Sequence, residues 1–360
     1  MKTVILNDRF FQKEFKPLNS ISNLKGGIMK TTAKCVLYLA IVMFVLSLST
    51  VLFAKDLKDL RGVQLLDGTV IHGKVIESNI NQVVIEKKDG NRVSVKFDNV
   101  SNFIYEGQPG EKTTSIVPMA RQTWEIAPEL SYIEYREPHV MSEKGPMFGI
   151  GVAYSYHDGV MIKVAGRFSY GLVDYENSGH LNNIEDRIFE FRALGGYDFK
   201  VSSSFTVTPF IGFGYRYLKD NMGGDITSTG AYGYDRESNY YYSPIGIEAV
   251  YAFDKGWSAG VILEYDYFWK GTQKSCESDI DAGYNDIKND QDGGYGLRGS
   301  IIIKKQSDRV FYAIEPFIRY WHIDKSDVKN ETYYGYDTGY VVWEPKNNST
   351  EIGLKFMIGF

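Results

Sequence analysis

The sequence predicts an all-β protein: a closed antiparallel transmembrane β-barrel of about ten strands, with about eight to twelve allowed, preceded by a small β module. Three observations carry that expectation. The 360 residues include 27 Tyr, 21 Phe and 36 Gly, an excess of strand formers and of the residue that permits close packing. From Trp124 to Phe360 the chain runs in segments that alternate apolar with small or charged residues, the period of a strand with two unlike faces. The connections between those segments are alternately short and long.

The segments follow in order. Segment 123–135 sets Trp124, Ile126, Leu130 and Tyr132 on one parity. Segment 146–157 sets Phe148, Ile150, Val152, Tyr154 and Tyr156 against Gly149, Gly151, Ala153 and Ser155, and a tight His157-Asp158-Gly159 turn follows. Segment 160–175 opposes Val160, Ile162, Val164 and Phe168 to Lys163, Arg167 and Ser169. Segments 187–199 and 203–218 repeat the pattern with Phe189 and Phe191 against Glu190 and Arg192, then Ile211, Phe213 and Tyr215 against Gly212, Gly214 and Arg216. Segments 239–253 and 257–270 oppose Ile245 and Ile247 to Glu248, and Leu263, Tyr265 and Trp269 to Glu264, Asp266 and Lys270. Segments 294–305 and 309–322 oppose Leu297, Ile301 and Ile303 to Arg298 and Lys304, and Ile314, Ile318 and Tyr320 to Glu315 and Arg319. The tenth holds the terminal decapeptide EIGLKFMIGF. Pro128, Pro209, Pro244 and Pro316 fall inside these segments, and bulges near one rim are expected to accommodate them.

A tilted strand of about ten residues crosses a bilayer. Long connections are expected at 176–186, 219–238, 271–293 and 323–346, all on one side. In a soluble sandwich the outward face would be charged. Here the majority face is aromatic and aliphatic, so lipid is its expected partner. Backbone groups in lipid have no water to bond, so the last strand must close on the first. The inward parity then carries a lumen charge network: Glu125, Glu129, Lys163, Arg167, Glu190, Arg192, Arg216, Glu248, Glu264, Asp266, Arg298, Lys304, Glu315, Arg319, Glu351 and Lys355. The signs nearly cancel, and a narrow barrel is expected to interlock them as a hydrated plug.

These segments resemble the small outer-membrane barrels, OmpA-like and porin-like, of Gram-negative bacteria. Ile352, Leu354, Phe356, Ile358 and Phe360 resemble that class's C-terminal signal, which its insertion machinery reads. The resemblance implies outer-membrane lipid and that machinery as partners.

Ahead of the barrel, Met29–Asp56 has the layout of a Sec-type secretory signal. Lys30 and Lys34 precede the apolar run Cys35–Phe53, and Ala54 is a small residue at the cut. Residues 1–28 are expected to be an over-called or disordered leader, 29–54 the signal, 55–107 a small β module, 108–122 a linker and 123–360 the barrel. Within the module, LLDGTVIHGKVI and VVIEKKDGNRVSVKFDNVSNF resemble Sm-like and SH3-like small barrels. An even strand number places both barrel ends, and so this module, in the periplasm. Its acidic and basic side chains balance, and net charge is −5, so no nucleic acid is expected as a partner.

No catalytic, cofactor or metal residues are assigned, and a non-enzymatic structural or surface-interaction role is expected, with an extracellular or periplasmic protein ligand. A narrow polar pore is one alternative. The other is a hydrolase at the barrel mouth, resembling the ten-stranded outer-membrane proteases, with His322 and Asp324 activating water and Asp174 nearby. Asp279, Asp281, Asp286, Asp290 and Asp292 offer hard oxygen ligands in one loop but lack an EF-hand frame. The stretch TYYGYDTGYVVW offers tyrosine contact area.

Overall fold

Alternation of two unlike faces gives long strands, and the computed structural model has ten in a ring. They are β1 (Gln122–Glu137), β2 (Met141–Asp158), β3 (Val160–Asn177), β4 (Gly179–Tyr197) and β5 (Phe205–Asn221), then β6 (Arg236–Ala252), β7 (Trp257–Ser275), β8 (Gly294–Gln306), β9 (Phe311–Ile323) and β10 (Asn347–Gly359). The structure describes residues 14–15, 60–78, 82–96, 99–105, 122–202, 204–307 and 310–360. Each strand pairs antiparallel with its sequence neighbours. β10 returns to β1, from Asn348 opposite Arg136 to Gly359 opposite Glu125. A last rung follows, in which Trp124 N–H donates to Phe360 O at 2.8 Å and Phe360 N–H donates to Trp124 O at 3.0 Å. β10 supplies the partners that β1 would otherwise lack in hydrocarbon.

The outward face is apolar and uncovered. Phe148, Leu263 and Phe360 are 62%, 59% and 60% exposed, and Ile126, Ile150, Val152, Ile211, Ile301 and Ile352 join them. Aromatics concentrate toward the strand ends. Trp124, Tyr197, Tyr251, Phe253 and Trp257 mark the short-turn end, and Phe213, Trp269, Tyr241, Tyr295 and Tyr320 lie nearer the other. Such rings sit well where hydrocarbon meets headgroups. No helix among the described residues is long and apolar enough to cross a membrane.

Short turns join β2 to β3, β4 to β5, β6 to β7 and β8 to β9 at one end. Gly159, at φ 75°, makes the tightest, with Asp158 and Val160 paired across it. The other end departs from expectation. The connection expected at 176–186 is strand on both sides of Ser178, with Asn177 opposite Gly179. β7 runs on to Ser275, and Ile287–Gln291 folds back onto it. Lys329–Tyr333 and Tyr336–Val342 form a hairpin inside the expected loop 323–346. Polar side chains on both faces do not stop a backbone ladder once it has left the lipid.

Two further expectations are corrected. The register is the same on either side of Pro128, Pro244 and Pro316, so no bulge marks them; instead the ladder to one neighbour opens for two rungs. Pro209 pairs with Ile247 but takes no rung toward β4. A missing N–H costs a rung without requiring an extra residue. One register shift lies between Val173 and Tyr175, away from these prolines. A bulge toward β7 lies two residues before Pro244 and away from the short-turn rim, where Tyr241 pairs with Lys270 and Tyr242 with Phe268, skipping Trp269. It shifts the parity, so Lys270 faces outward rather than into the lumen.

The first 121 residues are described only in part. Leu60–Leu65 pairs with Val70–His72 and Val100–Tyr105 in one sheet, and Lys74–Ser78, Gln82–Glu86 and Arg92–Lys96 form another. Val63, Ile71, Val83, Ile85 and Val95 pack between them. The expected leader, signal and linker lie outside the described residues, apart from Gln122 and the pair Glu14–Phe15, which bonds to Val341 and Tyr340.

Candidate functional site

Because successive side chains on a strand point to opposite faces, the charged parity of every stave converges on the axis. At mid-height the structure brings two groups together. In the first, Arg167 lies 2.9 Å from Glu351 and 3.2 Å from Glu129, and Arg319 lies 3.2 Å from Glu129 and 3.3 Å from Glu351. Ser169 donates to Glu129 at 3.0 Å and Ser131 to Glu351 at 2.8 Å. In the second, Arg298 reaches Asp266 at 2.6 Å, Glu264 at 3.2 Å and Glu190 at 3.0 Å. Arg192 pairs with Glu264, and Tyr242 donates to Glu190 at 2.6 Å. Arg167 approaches Glu190 at 3.9 Å and so joins the groups.

Lower down, Lys163 meets Glu125 at 3.4 Å and Lys355 meets Glu315 at 2.9 Å. Among the described residues, three members of the expected network make no ion pair of this kind. Arg216 lies over the Trp321 ring at 5.4 Å, Lys304 over the Phe311 ring at 3.7 Å, and Glu248 interacts with Lys163 only at longer range. Of the C-terminal signal residues, Ile352, Phe356, Ile358 and Phe360 are exposed on the outer wall, and Leu354 is half-buried.

The lumen is not polar throughout. Phe311, Met357, Ala127 and Ala313 form one apolar cluster toward the short-turn end, and Met161, Leu194 and Phe210 another. Above the charges, Tyr240, Tyr242, Phe268, Trp321 and Ile323 cluster, as do Ile133, Met141, Met147, Val173, Tyr175, Ile184, Ile188 and Met222. Higher still, Arg236 lies 2.5 Å from both Glu137 and Glu344 and accepts nothing, donating also to Tyr135 at 3.1 Å. Beside it is a small cavity of about 10 Å³, lined by Met141, Tyr175, Met222, Tyr234 and these charges. Sequence reasoning missed this layer because it took residues 136–145 and 219–238 for connections rather than wall.

The long connections pack into a head. Thr227 and Thr229 donate to Ser178 O at 2.9 and 2.7 Å, holding the β3–β4 tip. Asn285 accepts from Thr332 N at 2.5 Å, Tyr284 bridges to Tyr333, and Asp327 accepts from Asp290 N at 2.7 Å. Four of the five aspartates of 271–293 are engaged, Asp290 at 3.6 Å from Lys329. Asp286 pairs with Lys274 at 2.9 Å, Asp279 accepts from Asp235 N at 3.0 Å and Asp281 from Gly283 N at 2.8 Å. On the outside of the head, Tyr334 and Tyr336 are 70% and 80% exposed, with Tyr232, Val328 and Tyr340 also open.

The expected mouth pair is not at the lumen. His322 lies on the outward parity of β9, between the inward Trp321 and Ile323, with Nδ1 2.6 Å from Asn348 and Nε2 3.3 Å from Asp324. Asp174 is exposed on the outward parity of β3 and accepts from Asn183 N at 3.1 Å.

No protein-family model matches the sequence, and no curated protein matches it. Among solved structures, the chain is similar to the outer membrane protease OmpT from Escherichia coli, at 9% identity over 66% of this chain and 96% of that one, with a TM-score of 0.47. It is also similar to the Pseudomonas putida toluene transporter TodX, at 10% identity over 67% and 89% with a TM-score of 0.28. A Pseudomonas aeruginosa FadL homologue matches at 7% identity over 67% and 90%, with a TM-score of 0.25. These likenesses concern the barrel fold. The first of them is named a protease, which corrects the expectation that this chain is not an enzyme.

Proposed function

We propose that this chain is a Gram-negative outer-membrane protein that holds a braced β head outside the cell and binds a protein ligand there through exposed tyrosines. The observation that carries the reading is the hairpin 329–342. Its tip tyrosines, Tyr334 and Tyr336, are more than two-thirds exposed, while the residues just before the turn are bonded to the neighbouring connection at Tyr284–Tyr333 and Asn285–Thr332. A tyrosine on a rigid support offers large contact area at small entropic cost. The short-turn end faces the periplasm, where the two-sheet module of residues 60–105 acts as an Sm-like or SH3-like unit. The apolar run at 35–53 exports the chain, and the terminal strand is the part that the insertion machinery reads. The interlocked lumen argues against a pore.

The test is a strain displaying the protein, assayed against a panel of immobilised extracellular proteins, beside a Tyr334→Ala/Tyr336→Ala variant displayed at equal surface level. Binding by the parent and its loss in the variant is the expected result; equal binding by both overturns the reading. Discrete conductance steps from the parent in a planar bilayer would overturn the sealed lumen.

A further inference from the structure

Three carboxylates project into the long-loop end of the barrel, and none of them forms an ion pair with a cationic side chain among the described residues. Asp186 on β4 and Asp220 on β5 are directly opposite each other in the ladder, and Glu143 reaches them from β2. Carboxylate oxygens of the three lie within 4.8 Å of one another. Glu143 is 3% exposed and Asp220 9%. Glu143 Oε1, Asp186 Oδ1 and both oxygens of Asp220 are buried with no hydrogen-bond donor outside the cluster among the described residues.

The surroundings supply one shared counter-charge, Arg236, and no more. Lys144, Lys219 and Arg187 are near in sequence, but they pair with Glu176, Asp235 and Glu185. Arg236 stands opposite Asp220 on β6, yet its Nη2 is committed to Glu137 and Glu344. That layer therefore sets five carboxylates, Glu137, Glu143, Asp186, Asp220 and Glu344, around one guanidinium. Like charges brought together out of water repel strongly, and buried carboxylates ordinarily have a partner.

We propose that Glu143, Asp186 and Asp220 bind a divalent cation of the calcium type inside the long-loop end of the barrel. Calcium takes oxygen ligands at about 2.3–2.6 Å in flexible geometry, so one ion placed among oxygens that lie within 4.8 Å of one another reaches all three with small side-chain shifts. Magnesium, at about 2.0–2.1 Å and strictly octahedral, fits the separation less well. The ion ties together β2, β4 and β5, which carry the wall beneath the head, and so stiffens the platform from which the head projects.

The experiment uses the full chain folded in detergent micelles and stripped with a chelator. Calcium chloride is titrated in against a sodium chloride control of equal ionic strength, and the thermal midpoint is read. Terbium emission excited through tyrosine gives a second reading, since Tyr175 is the ladder partner of Glu143. The expected result is a saturable rise in the midpoint with calcium, larger than with magnesium. A Glu143→Gln/Asp220→Asn variant, relieved of repulsion, should melt no lower than the stripped parent yet lose the calcium rise and the terbium signal. Should that variant not fold, Asp186→Asn, at a half-buried position, is expected to lower calcium affinity about tenfold. No saturable calcium response in the parent would overturn the proposal and assign the cluster to protons instead. A variant that responds as the parent does would overturn it equally, placing the ion elsewhere.

Discussion

Arg298 shows what the lumen asks of a single side chain. It touches three carboxylates and lies over the rings of Tyr242 and Trp321 at 5.6 and 5.7 Å. A buried ion pair is weak evidence of net stability, but removing one partner strands the others. Arg298→Ala should therefore cost about 3–5 kcal/mol. The exposed Lys144–Glu176 pair at 3.2 Å is the contrast, and Lys144→Ala should change stability by less than about 1 kcal/mol. Urea unfolding of the micelle-folded barrel, read by tryptophan fluorescence, compares the two. Glu344, in the connection beyond β9, tests the upper layer by pH. Burial pushes its carboxyl up to about 8, with Glu137 adding to the rise and Arg236 opposing it. The folded chain then holds a proton that the unfolded chain has released by mildly acidic pH. That contribution is complete below the ordinary value of 4.5 and is lost as pH rises through about 8. The midpoint should fall between about pH 5 and 8 in the parent and stay flatter in Glu344→Gln; the same slope in both would contradict the assignment.

At the scale of the strand, glycine and aromatic residues form a unit. Gly214 lies opposite Tyr242, Gly246 opposite Phe210, Gly353 opposite Phe317 and Gly359 opposite Phe311. In each pair the ring lies over the glycine, and a Cβ on Gly214 would stand 2.1 Å from Tyr242 Cζ. Gly214→Ala should displace the ring that donates to Glu190, at a cost of about 1–3 kcal/mol. Tyr242→Phe combined with it should cost little beyond the single change, because both disturb one ring. Much of this was legible in the sequence, since alternation names the lipid face of every strand and the terminal strand announces closure. What was not legible came from two sources. Hydrogen-bonded ladders continue above the bilayer, so residues such as Glu143 and Asp220 looked like loop and were wall. A one-residue slip at Trp269 reverses parity without leaving a trace in composition.

For the whole molecule, the division of labour follows from solvent. Lipid accepts the exposed isoleucines and phenylalanines of the wall, so the interior is free to hold charge, and at mid-height arginines and carboxylates meet as opposites. Four apolar clusters bracket the charged layers, and the head rests on the upper ones. Sequence alone gave the sign balance of the lumen residues but not which arginine meets which glutamate, because that depends on strand tilt and stagger around the ring. The claim beneath all of this is closure in a membrane. The most direct measurement is gel mobility of the protein from outer-membrane fractions in detergent, with and without boiling. A closed barrel should resist the detergent at room temperature and migrate as a distinct band that boiling shifts to the unfolded position. Identical bands before and after boiling, from a protein that stays in solution without detergent, would contradict it.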